Sequence, residues 1–224
     1  MNKIKVIITG ASGMVGEGVL YECLNHSQIE EVLVIGRKPC GHTHPKLKEV
    51  LHSNFLDLSS IESQLRNYDA CFFCLGVSSV RMKEPEYYKL TYQLTLHFAQ
   101  TVSRLNPGMQ FCYISGTGTD SSEKGRIMWA RVKGKTENDL KKIGFNAVYN
   151  FRPGMIQPTP GLKNTLSYYK KVSWLLSVIR FVAPGIISTL KELGQAMINS
   201  VIFGYEKHTL EVKDIKALGA RKIL

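Results

Sequence analysis

Ile4-Lys5-Val6-Ile7-Ile8-Thr9, followed at once by Gly10-Ala11-Ser12-Gly13-Met14-Val15-Gly16, decides the fold. An apolar run stops at three glycines spaced three apart, and apolar residues resume as Val15, Val19, Leu20, Cys23 and Leu24 at helical spacing. That order reads strand, tight turn, helix. Its chemistry suits a nucleotide cradle. Gly10 allows the sharp turn off the strand, Gly13 lets backbone amides approach a pyrophosphate, and Gly16 lets the helix lie close to the sheet, its N-terminus facing the phosphates. Three glycines would also serve a purely structural turn. Their position between the first strand and the first helix favours the cradle, with Gly10, Ser12, Gly13, Met14, Val15 and Gly16 as cofactor contacts.

Working outward, Val32-Leu33-Val34-Ile35 is a second buried strand that ends at Gly36-Arg37-Lys38. An NAD site places an acid near the ribose 2′-hydroxyl at this distance from the glycine turn. Here adjacent cations stand in its place, so NADP(H) is the expected cofactor, with Arg37 forked on a 2′-phosphate and Lys38 as a supporting charge. A third strand over Glu49 to Phe55 delivers Asp57 as an acceptor for the adenine amino group, with Leu58 beside it. The fourth strand, Ala70-Cys71-Phe72-Phe73-Cys74-Leu75, is continuously apolar, as a central parallel strand is. It brings Leu75 and Gly76 to the edge where ligands bind.

The 224 residues suit one doubly wound α/β domain with a C-terminal appendage. The net charge of +11 is spread along the chain with no long basic run, which argues against a nucleic-acid partner and leaves part of the excess to a polyanionic cofactor. Five cysteines, an odd number, with no secretory leader point to free thiols and the cytoplasm. Cys71 and Cys74 have half-site spacing but sit in an apolar run on opposite sheet faces, so they read as core. No metal site is expected, since His42 and His44 have no further ligand cluster. Trp174 to Ala183 is interrupted by Arg180 well short of a membrane span.

Further along, a helix is expected over Pro85 to Arg104, and a fifth strand, Phe111-Cys112-Tyr113-Ile114, delivers Ser115-Gly116-Thr117-Gly118-Thr119 to the same edge. The following helix carries Trp129 and Lys133, which share a face at four-residue spacing. A sixth strand, Ala147 to Phe151, ends at Arg152-Pro153-Gly154. Gln157-Pro158-Thr159-Pro160-Gly161 is a turn-rich break that divides a cofactor unit, 1–156, from a C-terminal part, 157–224, within the same compact body. There a helix is expected over Tyr168 to Val182, a capping box starts another at Thr189-Leu190-Lys191-Glu192, Leu210-Glu211-Val212 is a seventh strand, and Asp214 caps a last helix.

Taken in order, TGASGMVG, the IGRK strand end, CLGVSSVR, Ser115 before VKGKTE, and FRPG resemble the short-chain dehydrogenase/reductase superfamily in its extended or atypical branch. Within it they are most similar to Tat-interacting-protein-like oxidoreductases, often grouped as NAD-dependent epimerase/dehydratase-like. The resemblance implies a Rossmann sheet in the order 3-2-1-4-5-6-7, NADPH across the strand ends with Pro153 among its contacts, and a small C-terminal cap over a small, apolar carbonyl or quinone-type substrate. A monomer or homodimer without stable membrane insertion is expected. The resemblance also implies a catalytic serine, tyrosine and lysine.

Ser115 and Lys133 match the first and last of these, which implies that Ser115 orients the substrate oxygen and that Lys133 holds the nicotinamide ribose and lowers the tyrosine pKa, but Trp129 occupies the tyrosine position. Indole only donates a hydrogen bond and cannot exchange a proton near neutral pH. None of the ten tyrosines has a lysine four residues later, so no shifted register restores the motif. Three readings stay open: a reductase with a different proton donor (Ser115, Thr117, Thr119 or water), an inactive NADPH-binding sensor or scaffold similar to NmrA-like regulators, and an interaction domain with a relic glycine loop.

Overall fold

The first apolar run forms β1 (Ile4–Thr9), and its residues from Val6 to Ile8 are wholly excluded from solvent because neighbouring strands and helices cover both faces. The computed structural model describes residues 3–164, 182, 183 and 185–222. The helix expected over Tyr168 to Val182 lies outside the described residues except for Val182. After β1 come α1 (Met14–Asn25), β2 (Ile29–Gly36), β3 (Leu47–Leu51), a 3-10 turn (Ser59–Leu65) and β4 (Ala70–Phe73). Then follow α2 (Glu84–Tyr88), a π turn (Lys89–Gln93), α3 (Leu94–Leu105), β5 (Gln110–Ile114), α4 (Met128–Leu140) and β6 (Ala147–Arg152). The C-terminal part holds β7 (Met155–Gln157), β8 (Ile187–Thr189), α5 (Leu190–Phe203), β9 (Thr209–Glu211) and α6 (Val212–Gly219).

Seven strands pair in the order β3-β2-β1-β4-β5-β6-β9, every pair parallel, so the seventh strand of the sheet is β9 and the implied Rossmann order is met. At its centre Ile7 pairs with Leu33 on one side and Cys71 on the other. One face buries α1, α5 and α6 against Val6, Ile8, Phe72 and Phe151. The opposite face buries α3, the 3-10 turn and the end of α4 against Ile7, Phe73, Phe111 and Tyr113. Cys71 packs into the second core and Cys74 against the first, as period-two alternation requires. All five thiols are unpaired.

Several boundaries differ from the sequence reading, each for a local reason. The third strand ends at Leu51: the His52 amide makes the last ladder bond, to Gly36 O at 2.9 Å, and its ring then closes the following turn on the carbonyls of Asn54 (2.8 Å) and Asp57 (2.7 Å). The fourth ends at Phe73, after which the Leu75 amide donates to Thr9 Oγ1 at 3.3 Å. The helix expected over Pro85 to Arg104 runs as helical backbone from Glu84 to Leu105, with its Lys89–Gln93 stretch wound as a π turn. Thr189 and Glu192 form the expected reciprocal box, each backbone amide answered by the other's side chain at 2.8 and 3.0 Å. Asp214 is not the cap of the last helix. Glu211 is, and Asp214 answers from the third helical position, accepting the Glu211 amide at 3.2 Å. Among the described residues no helix is long and apolar enough to cross a membrane.

Candidate cofactor and substrate site

The strand order reverses between β1 and β4, and the turn after β1 opens at that switch point. Gly10 has φ +73°, and a Cβ there would stand 2.7 Å from the Leu75 amide nitrogen. No other residue fits. Gly10 O accepts the Gly13 amide at 3.0 Å and Gly13 O accepts the Glu17 amide at 2.8 Å, which locks turn to helix. A Cβ on Gly13 would meet only Gly10 O, at 3.5 Å, so the space above Gly13 is not filled by the protein itself. That open, amide-lined space at a helix N-terminus fits a pyrophosphate.

A cleft of about 620 Å³ gathers Gly10, Ser12, Arg37, Lys38 and Leu75 from the ends of β1, β2 and β4. Arg37 and Lys38 are exposed, and among the described residues neither side chain has an ion-pair partner. Met14 and Val15 are half-buried at the helix start, and Gly16 is buried against the turn. The cleft has walls the sequence reading missed: Phe55, whose ring stacks on Phe98 at 5.8 Å, and Asn164. An aromatic residue at the end of the third strand was a readable signal for Phe55. Nothing in the sequence marked Asn164. Asp57 does not line this cleft; its carboxylate accepts from the Ser59 hydroxyl (2.7 Å) and amide (3.1 Å), which hold its pKa below the usual range. Leu58 is buried in the core beneath it, and Gly76 is exposed beyond the cleft lining.

At the neighbouring strand end, Ser115 Oγ and Thr119 Oγ1 lie 2.9 Å apart, and both residues are buried. Lys133 comes to the same strand end from α4, its Nζ donating to the backbone carbonyls of Ser115 at 3.0 Å and Ile114 at 3.4 Å. Burial pushes its pKa down to about 8, against the opposing pull of Glu137. Trp129 sits one turn earlier, half-buried, with its ring 3.6 Å from where a Cβ on Gly118 would be. Pro153 is buried and ties in from β6, its carbonyl accepting the Thr117 amide at 3.3 Å.

Arg152, the residue before it, holds this corner together. Its guanidinium grips the fully buried Glu137 carboxylate at 2.9 and 2.6 Å, reaches Glu211 at 3.2 Å and donates to Ser121 Oγ at 2.6 Å. A forked pair of this kind fixes α4, and so Lys133, against the end of β6. A second groove of about 560 Å³ lies at the opposite edge of the sheet, where Glu31 is already taken by Lys48 (2.7 Å) and Tyr68 (2.8 Å).

A profile of the NAD dependent epimerase/dehydratase family matches residues 6–124. The chain is 25% identical over 158 residues to protein HTATIP2 of Rattus norvegicus, a match covering 70% of this chain and 64% of that protein, short of two thirds of its length. It is 22% identical over 189 residues to the mitochondrial protein FMP52 of Candida albicans, covering 79% and 81%. Among solved structures, the UDP-N-acetylglucosamine 4-epimerase of Methanobrevibacter ruminantium superposes with a TM-score of 0.66 at 15% identity, over 93% of this chain and 76% of that one. The Bordetella bronchiseptica enzyme WbmF in complex with NAD+ gives 0.65 at 12% identity, over 96% and 77%. At such identities these structures speak for the fold.

Proposed function

The chain belongs to the NAD dependent epimerase/dehydratase family, and we propose that within it the protein is an NADPH-dependent reductase of a small, apolar carbonyl or quinone-type compound. The observation that carries this reading is the placement of Lys133 Nζ 3.0 Å from the backbone carbonyl of Ser115, the residue whose buried hydroxyl bonds that of Thr119. Residues 1–156 are read as the cofactor unit and 157–224 as the part that shapes the substrate end. Gly10, Ser12, Gly13 and the start of α1 would hold the pyrophosphate, and Arg37 with Lys38 the 2′-phosphate. The bound dinucleotide supplies the hydride.

The chain's own residues then hold and protonate the substrate oxygen. The Ser115 and Thr119 hydroxyls already bond each other, so one can donate to an incoming oxygen while its own oxygen accepts from the other. Trp129 cannot supply the proton. Lys133 can, because an ammonium whose pKa lies near 8 gives up a proton readily near neutral pH. Trp129, half-buried one turn before Lys133, would offer this end of the site an apolar ring, which suits an apolar substrate.

The test is consumption of NADPH against a panel of carbonyl compounds and quinones, in wild type and Lys133→Met. Turnover that collapses in the variant while NADPH binding persists is expected. The indole in the tyrosine position favours a second reading, an NADPH-binding sensor or scaffold without turnover. Tight binding with no oxidation of NADPH across the panel would select it. Failure to bind either dinucleotide would remove both. The five unpaired cysteines suit the cytoplasm.

A further inference from the structure

Glu17 follows Gly16 directly, in the first turn of α1, and it is completely buried. A carboxylate so near the phosphate cradle repels an anionic ligand, so its retention calls for another task. Its partners show one. Oε1 accepts the Lys163 amide at 2.8 Å and meets His42 Nε2 at 3.0 Å, and Oε2 accepts the Asn164 amide at 2.7 Å. Lys163 Nζ in turn donates to Gly41 O at 2.7 Å. Burial pushes the Glu17 carboxyl up, but the bonds from Asn164, Lys163 and His42 outweigh it and hold the group ionised.

Two loops 122 residues apart, counted from Gly41 to Lys163, are thus fastened to one buried anion. One is the loop after β2, which carries Arg37 and Lys38. The other is the start of the C-terminal stretch, which places Asn164 in the wall of the same cleft.

We propose that Glu17 is a positioning residue for the phosphorylated end of the dinucleotide: its clasp on His42, Lys163 and Asn164 holds Asn164 opposite Arg37 and Lys38, making Asn164 a determinant of NADPH over NADH. This rests on the cofactor reading above. It adds that selection between the two dinucleotides depends on a side chain from the far end of the chain as well as on the cations after β2.

The experiment measures calorimetric Kd values for NADPH and NADH with the full chain, in wild type, Glu17→Gln, Asn164→Ala and the double variant. The amide of Glu17→Gln keeps one acceptor and turns an N–H toward the other donor, so the clasp opens. NADPH affinity is expected to fall about tenfold or more in each single variant while NADH affinity moves less than about threefold, with the double variant no weaker than the worse single one. If Glu17→Gln does not fold, Asn164→Ala, which removes a half-exposed side chain, decides alone. Equal losses for both dinucleotides would mean a merely structural role and overturn the inference. So would variants that bind NADPH like wild type. A wild type that binds neither dinucleotide would instead overturn the cofactor reading beneath it.

Discussion

Gly13→Ala and Gly16→Ala, three residues apart in one turn, should fail in different ways. A Cβ at position 16 would lie 2.9 Å from Ala11 N and closer still to the carbonyl carbon and oxygen of Gly10. All three are backbone atoms, so none can rotate away, and α1 must move off the turn by roughly an ångström or more to restore ordinary contact. Overpacking of this kind costs about 1–3 kcal/mol. With an unfolding entropy of about 2.1 cal/mol/K per residue, a chain of this length loses roughly 2 °C of Tm per kcal/mol, so Gly16→Ala is expected to melt about 2–6 °C lower. Position 13 differs. Its φ of −103° is one alanine adopts without strain, and its Cβ would touch only Gly10 O at an ordinary 3.5 Å. Loss of glycine at the helix N-cap and the reduced entropy of the unfolded chain offset one another to within about 1 kcal/mol. The ligand-free Tm of Gly13→Ala should therefore stay within about 2 °C of wild type. Its methyl group would nonetheless occupy the space assigned to the pyrophosphate, and NADPH affinity should fall about tenfold or more. Scanning fluorimetry without ligand and calorimetry with NADPH separate the two effects. Equal losses of Tm would show that both glycines serve folding alone. NADPH binding by Gly13→Ala at wild-type strength would show that no phosphate lies over the turn.

Arg37→Ala removes a charge-assisted contact worth about 1.5–3 kcal/mol, so calorimetry should show the Kd for NADPH rising roughly ten- to a hundredfold with NADH little changed; unchanged NADPH binding would refute the assignment. With Lys133 at about 8, turnover should fall as pH rises through about 8, because the ammonium loses the proton it donates, and Lys133→Arg, whose guanidinium does not give up a proton, should lose turnover at every pH; a flat wild-type profile between pH 7 and pH 9 would exclude Lys133 as the acid. Arg152→Met strands the buried Glu137 carboxylate, at about 3–5 kcal/mol, so Tm should drop roughly 6–10 °C, and adding Glu137→Leu should recover most of it; a Tm unchanged in Arg152→Met would mean the pair is not buried as described.

The strand, turn and helix from Ile4 to Asn25 were legible because they depend on neighbours in sequence. Apolar periodicity sets the elements, and Gly10 carries the one backbone angle that other residues resist. The same holds for the central strands and for the capping box at Thr189, each a pattern a few residues long. The departure at Trp129 was equally plain, since it needs only the spacing to Lys133. The end of the third strand was not legible, because the turn after Leu51 is closed by the His52 ring on the carbonyls of Asn54 and Asp57, bonds that no periodicity encodes. Nor were the bonds of the Asp57 carboxylate to the Ser59 amide and hydroxyl, which are local but carry no periodicity.

By itself, then, the sequence determined the parallel α/β layout, the glycine turn, the cations after the second strand and the loss of the family's tyrosine. Tertiary structure alone decided which distant loops close on the cleft: Glu17 meets Lys163 and Asn164, and Arg152 grips Glu137, Glu211 and Ser121. The physical reason is that a buried charge takes whichever donors or acceptors the assembled strand ends bring within about 3 Å, and that juxtaposition exists only once the sheet has formed.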